Sequence, residues 1–208
     1  MKRKTIKIIL GLLLASLLSA NAQNLKFGIL AGFDVANSQL MNKPKGFDSR
    51  VYYPMISFNL NGYVSCRNSG FWGLSAEPGF IQKGGRQKGI DEDIRFQINY
   101  IQLPILLDLY ISDKFFISIG PEFSYLINAK AKSKHNSNNI TDLYDKRFEL
   151  SGLVGINYQL TDKLNIGMRY NHGLTYTSKI TFTDSFGNQL GDMKEYNQYF
   201  QLIVRFKI

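Results

Sequence analysis

The sequence predicts an all-β chain: an eight-stranded antiparallel up-and-down transmembrane β-barrel of the outer-membrane type, preceded by a signal peptide. Three observations carry that prediction. Apolar and polar residues alternate through about eight segments, the period of a strand with two unlike faces. The connections between those segments are short and long in strict alternation. The N-terminus carries a basic stretch, an apolar run and a small-residue cleavage site. No helix-period segment is available to cover an apolar sheet face, so that face is assigned to lipid and the opposite, polar face to the lumen.

The termini bound the domain. Lys2, Arg3, Lys4 and Lys7 form the basic region, 8–18 the apolar run, and Ala20-Asn21-Ala22 the cleavage site. Residues 1–22 are therefore expected to be removed, leaving one domain over 23–208. Losing those four cations takes the formal charge from +9 to +5. Both signs are spread along the chain, which gives nucleic-acid binding no support. Cys66 is alone, so no internal disulfide is available. After residue 22 no segment has the roughly 18 apolar residues of a spanning helix. Mean hydropathy is slightly negative, as expected when only alternate residues of a strand meet lipid.

The expected strands cover 25–36, 51–65, 71–83, 95–111, 115–130, 147–160, 163–176 and 195–208. In the first, Phe27, Ile29, Ala31, Phe33 and Val35 share the outward face; in the last, Phe200, Leu202, Val204, Phe206 and Ile208 do so. Ser112-Asp113 and Thr161-Asp162, each followed by Lys, are tight turns, and 67–70 is also short. The connections 37–50, 84–94, 131–146 and 177–194 are long and polar. In an outer-membrane barrel the short turns face the periplasm and the long loops face outside. Tyr and Phe number 27, and several sit near strand ends as an interfacial girdle would: Tyr52, Tyr53, Phe71, Trp72, Phe115, Phe116, Tyr158, Tyr196 and Tyr199. Pro78, Pro104 and Pro121 fall inside strands, where bulges are expected because proline donates nothing to the ladder.

Fixing the lipid face fixes the lumen. Its residues include Lys26, Asp34, Asn59, Asn61, Asp108, Asn157 and Lys207. Glu77 lies between Ala76 and Pro78, and Glu122 between Pro121 and Phe123. Carboxylates so placed cannot face hydrocarbon at tolerable cost. An eight-stranded barrel is only wide enough for side chains to fill it. The expectation is a lumen charge network of Glu77, Glu122 and Glu149 with Arg169 and Arg205, satisfied internally as a plug. A narrow ion path is the competing reading.

Catalytic chemistry has little support. His135 lies in a polar loop, and His172 near the outer end of the seventh strand, where Asp142, Asp145 or Asp184 could reach it. No CxxC, HExxH, Walker-type or GxSxG pattern occurs, and the glycines do not precede helices. No enzyme activity, cofactor or metal site is expected. Lys130, Lys132, Lys134, Lys146 and Arg147 cluster at the third long loop. Lys130, Lys132 and Lys134 are candidates to pair with lipopolysaccharide phosphates.

The segments YIQLPILLDLY (100–110), GPEFSYLI (120–127), GINYQLTDKLNIGMRYNHGLT (155–175) and the terminal QLIVRFKI resemble, in order, the PorT-type outer-membrane β-barrel family of Bacteroidetes. The resemblance implies a porin-like barrel in the outer membrane, inserted by the barrel-assembly machinery. It departs at Ile208, where such chains often end in Phe or Tyr. A named member of that family is implicated in protein secretion, but no functional residue carries over. Three functions follow as expectations: a charge-filled structural or interaction barrel acting through four long outer loops, a narrow porin or secretion accessory, and a soluble periplasmic lipocalin-like barrel. The last would need Phe and Leu inside and a polar exterior.

Overall fold

Period-two alternation leaves each strand one apolar and one polar face, and a membrane leaves no backbone group unpaired. Both demands are met by closing the sheet. The computed structural model describes residues 25–42, 53–67, 70–88, 92–183, 186 and 189–208. The expected signal peptide, Tyr52, Asp184 and most of the first long loop lie outside the described residues.

The elements are β1 (Leu25–Met41), β2 (Met55–Arg67), β3 (Trp72–Ala76), β4 (Gly79–Gln87), β5 (Ile94–Tyr110), β6 (Phe115–Lys132), β7 (Ser137–Asn139), β8 (Phe148–Gln159), β9 (Leu164–Gly173), β10 (Ser178–Thr183) and β11 (Gln189–Lys207), with a 3-10 turn at Thr141–Leu143. All pairings are antiparallel. β3 and β4 form one broken stave, each pairing β2 on one side and β5 on the other. β7 extends the hairpin of β6, and β10 lies beside the outer part of β11. The ring of eight staves closes where β1 pairs β11, from Gly28–Lys207 to Met41–Lys194. The short turns use the expected chemistry: Phe115 N donates to Ser112 Oγ (3.1 Å) and Leu164 N to Thr161 Oγ1 (3.0 Å).

The faces are as unlike as the pattern demands. Phe33, Ile56 and Phe200 are 74%, 78% and 63% exposed, whereas Asp34, Glu77, Lys83 and Glu122 are all at 0%. Nothing here supports a lipocalin-like barrel, whose polarity would be the reverse. From Phe27 to Val35 the lipid face runs eight residue steps. At about 3.3 Å per residue, tilted about 40°, that spans roughly 20 Å, close to the hydrocarbon band of such barrels.

Three expectations change. The registers of β2–β3/β4 and β5–β6 are continuous past Pro78, Pro104 and Pro121, so these prolines do not make bulges. Pro78 instead ends β3 by removing a donor, and its carbonyl still accepts Gly62 N at 2.9 Å. Strands also run further outward than the alternation suggests, because hairpins β4–β5 and β10–β11 continue through segments expected to be loops. Finally, Phe116 and Tyr199 point inward, at 6% and 1% exposure, and are not part of a girdle.

Candidate functional site

The lumen holds two ionic clusters, one above the other. The lower one centres on Glu77, which follows β3 at the break in its stave. Arg169 on β9 reaches across to it with both guanidinium arms, at 2.6 and 2.7 Å, and Arg205 on β11 donates to the same carboxylate. This paired geometry is the strong form of the arginine–carboxylate contact. Space for it comes from Gly155, directly opposite Arg169 in the β8–β9 register. A Cβ on Gly155 would lie 2.6 Å from Arg169 Cγ. Inward glycine here makes room for a neighbour and leaves no channel.

The upper cluster centres on a lysine that sequence reasoning did not place inside. Lys83 on β4 donates to Glu122 on β6 (2.9 Å), Ser124 (3.2 Å) and Glu149 on β8 (3.2 Å). Tyr199 and Asn171 (3.1 Å) donate to the other Glu122 oxygen, and Asn197 (2.8 Å) to that of Glu149. Lys83 sits over the rings of Tyr100 (4.9 Å) and Tyr199 (5.3 Å). Of the five residues expected to form one network, Glu77, Arg169 and Arg205 stand together, and Glu122 and Glu149 stand with Lys83. Two signals could have found it. Lys83 shares the parity of Glu77 on their stave, and three carboxylates against two arginines leave one charge uncompensated, which a buried site does not tolerate. With Lys83 included, three cations meet three carboxylates.

Smaller polar pairs complete the filling: Asn59 with Asp34 (2.8 Å), Gln102 with Asn61 (3.2 Å) and Asn157 with Ser118 (2.9 Å). Towards the outer end the lining turns apolar. Ala36, Ile81, Ile98, Leu126 and Ala129 pack with the Tyr100 and Tyr199 rings, and Ile140 and Tyr144 of the third long loop pack against them. Ala129 N donates to Thr141 Oγ1 (2.9 Å), which ties that loop to the barrel wall.

A bulge in β6 shapes the outer rim. The β5–β6 register shifts at Asn99/Tyr100, where Asn99 pairs Asn128 and Tyr100 pairs Leu126. The extra residue turns Ala129 inward and Lys130 and Lys132 outward, the reverse of strict alternation. Above the lipid face, Gln82, Asn99 and Asn128 form an amide row on β4, β5 and β6 (3.1 and 2.8 Å). Further out, Arg86, Arg95 and Lys132 are register partners. Arg86 and Arg95 line a recess of about 330 Å³ with Pro54, Met55 and Ile56, and Arg86 pairs Asp93 at 3.4 Å. The Lys134 backbone N–H donates to Glu92 (3.0 Å).

Among the described residues, those considered for catalysis have other partners. His172 Nδ1 lies 3.2 Å from the Tyr170 hydroxyl, and Asp145 accepts Lys179 N at 2.8 Å. Asp192, above the membrane-spanning part of β11, accepts the Thr181 hydroxyl (2.7 Å) and Lys179 Nζ (3.3 Å). These contacts, the Thr181 hydrogen bond first, hold its carboxyl below the ordinary range.

Comparison with known proteins agrees with this geometry. The family described as outer membrane protein beta-barrel domain matches residues 21–179. No curated protein sequence matches the chain. Among solved structures, Neisserial surface protein A superposes with a TM-score of 0.51 at 14% identity, over 88% of this chain and 97% of that one. Ail, the attachment invasion locus protein of Yersinia pestis, gives 0.47 at 12% identity, over 88% and 98%. OprG of Pseudomonas aeruginosa gives 0.42 at 14% identity, over 88% and 95%. The family match covers most of the chain, and the likeness to Neisserial surface protein A is one of fold. The chain belongs to the outer membrane protein beta-barrel domain family, and the outer membrane is where it resides.

Proposed function

We propose that this protein is a plugged interaction barrel: the wall anchors it, the filled lumen stiffens it, and the outer rim is its working surface. The observation that carries the reading is the double closure of the lumen, by two ionic clusters whose charges balance together and by the apolar layer under Ile140 and Tyr144. A conducting path would have to break paired charges without replacing them, at several kcal/mol each. Residues 1–22 serve as the export signal, and the strand ending at Ile208 is the segment offered to the barrel-assembly machinery. The QLP and GPEFSYL strands support placing the chain in the PorT-type group of Bacteroidetes.

The rim is suited to lipopolysaccharide. Lys130 and Lys132 are exposed on the outer wall, and Lys132 adjoins Arg95. Clustered cations just above an apolar band match phosphates carried on acyl chains. Lys134 belongs to the same loop. The alternative is a narrow pore or secretion accessory.

Planar-bilayer recording of the refolded mature protein separates the two. The plugged reading expects a silent membrane from wild type and from Lys130→Gln/Lys132→Gln, and weaker lipopolysaccharide binding by that variant. Stable current steps altered by Lys83→Gln would establish the pore instead.

A further inference from the structure

The end of the barrel where β1 begins and β11 ends has a chemistry of its own. A small cavity of about 70 Å³ opens there between the inner ends of β1, β2, β5, β9 and β11. Five cations line it: Lys26, Arg67, Lys163, Arg205 and Lys207. Two carboxylates join them, Asp108 and Asp162. The arginines are held in place. Arg67 pairs Asp113 at 3.2 Å and lies 3.9 Å from the centre of the Tyr110 ring. Arg205 is clamped by Glu77 and lies between Tyr63 (5.8 Å) and Phe116 (5.6 Å). Asp108 is turned to the Ser118 hydroxyl. Among the described residues, Lys26, Lys163 and Lys207 have no ion-pair partner.

We propose that this vestibule binds a small oxyanion with the charge of a phosphate dianion. Three observations converge on that ligand. The Nε of Arg205 has no hydrogen-bond partner, although the residue is only 6% exposed. Buried donors are nearly always satisfied, and Arg205 is one of the residues lining the cavity. Next, counting the lining with its partners Glu77, Arg169 and Asp113, six cations face four carboxylates. Two positive charges are left over at this end of the barrel, where neighbouring like charges repel. Last, the cavity has room for about five waters. That suits an ion of a few heavy atoms. Lysines and a fixed guanidinium supply many donors and few competing acceptors, the arrangement that oxyanions select.

The test is calorimetric titration of inorganic phosphate into the mature barrel, refolded in zwitterionic detergent at mildly alkaline pH. Wild type is expected to bind one phosphate saturably. Lys26→Gln/Lys207→Gln should weaken binding at least tenfold, whereas Lys130→Gln/Lys132→Gln at the opposite end should leave it unchanged. Acetate, with one charge, should bind at least tenfold more weakly than phosphate. Heat-modifiable migration verifies that each variant is closed. If the double variant does not close, Lys26→Gln alone, at an exposed position, should still weaken binding about threefold. No saturable heat in wild type, unchanged binding after loss of the vestibule lysines, equal loss from the rim variant, or acetate as tight as phosphate would each overturn the assignment.

Discussion

Glu77 is the residue on which the lower lumen depends. Among the described residues it is the sole carboxylate partner of two buried guanidiniums. Glu77→Gln leaves Arg169 and Arg205 uncompensated, and removing one partner of a buried ion pair costs about 3–5 kcal/mol. Urea unfolding of the refolded barrel should show a loss of that order. A change under 1 kcal/mol would mean that water reaches the cluster and screens it. Gly155 tests the same site from the other side. Gly155→Leu puts a branched side chain where Arg169 already lies, with Met168 O 2.9 Å from the new Cβ. Its barrel should fail to close or lose several kcal/mol, since overpacking and the displaced ion pair add together. Loss of heat-modifiable migration would register this.

At the scale of the element, two outer segments make separate predictions. The β6 bulge decides which face Lys130 and Lys132 occupy. Deleting Asn128 removes the extra residue: strict alternation from Leu126 then keeps Ala129 inward and Lys130 and Lys132 outward, in their existing register with β5. Refolding yield should therefore stay near that of wild type, with the loss confined to the Asn99–Asn128 hydrogen bond; a sharp fall would mean that the bend of the bulge is itself needed to close the rim. The β10–β11 hairpin answers to pH through Asp192. Its folded carboxyl is depressed, mainly by the Thr181 hydrogen bond. The contribution is therefore fully present above the unfolded-state value of about 3.9 and is lost as pH falls through the lower, folded value. Amide exchange of Thr181 and Lys179 should accelerate below that range in wild type, with no corresponding step in Asp192→Asn. The carboxyl is partly exposed, so high salt should reduce the difference.

For the whole molecule, closure is the source of stability. The β1–β11 pairing leaves no edge in the eight-stave ring, and every stave exchanges backbone hydrogen bonds with two neighbours, as hydrocarbon requires. The charged lumen adds specificity: each cluster joins staves far apart in the chain, Glu77 with Arg205 and Lys83 with Glu149. Those cross-lumen bonds resist flattening of the ring. The silent membrane expected in bilayer recording belongs to this scale, because the apolar layer and both clusters must open together for current to pass.

How much of this was legible follows from period and parity. Alternation alone determined the all-β class, the eight staves, the turns at Ser112 and Thr161 and the inward direction of Glu77, Glu122, Glu149, Arg169 and Arg205, because a two-residue period assigns faces wherever one side meets lipid. Partner choice was decided only by tertiary structure. Whether Arg169 meets Glu77 or Glu122 depends on shear and on the heights of residues on staves separated by half the ring. The same is true of Lys83: local pattern ends a strand there, and its inward place follows from β4 continuing to Gln87. The β6 bulge lies beyond local pattern as well: one inserted residue costs nothing in composition but reverses every face after it, and only the register with β5 reveals where it sits.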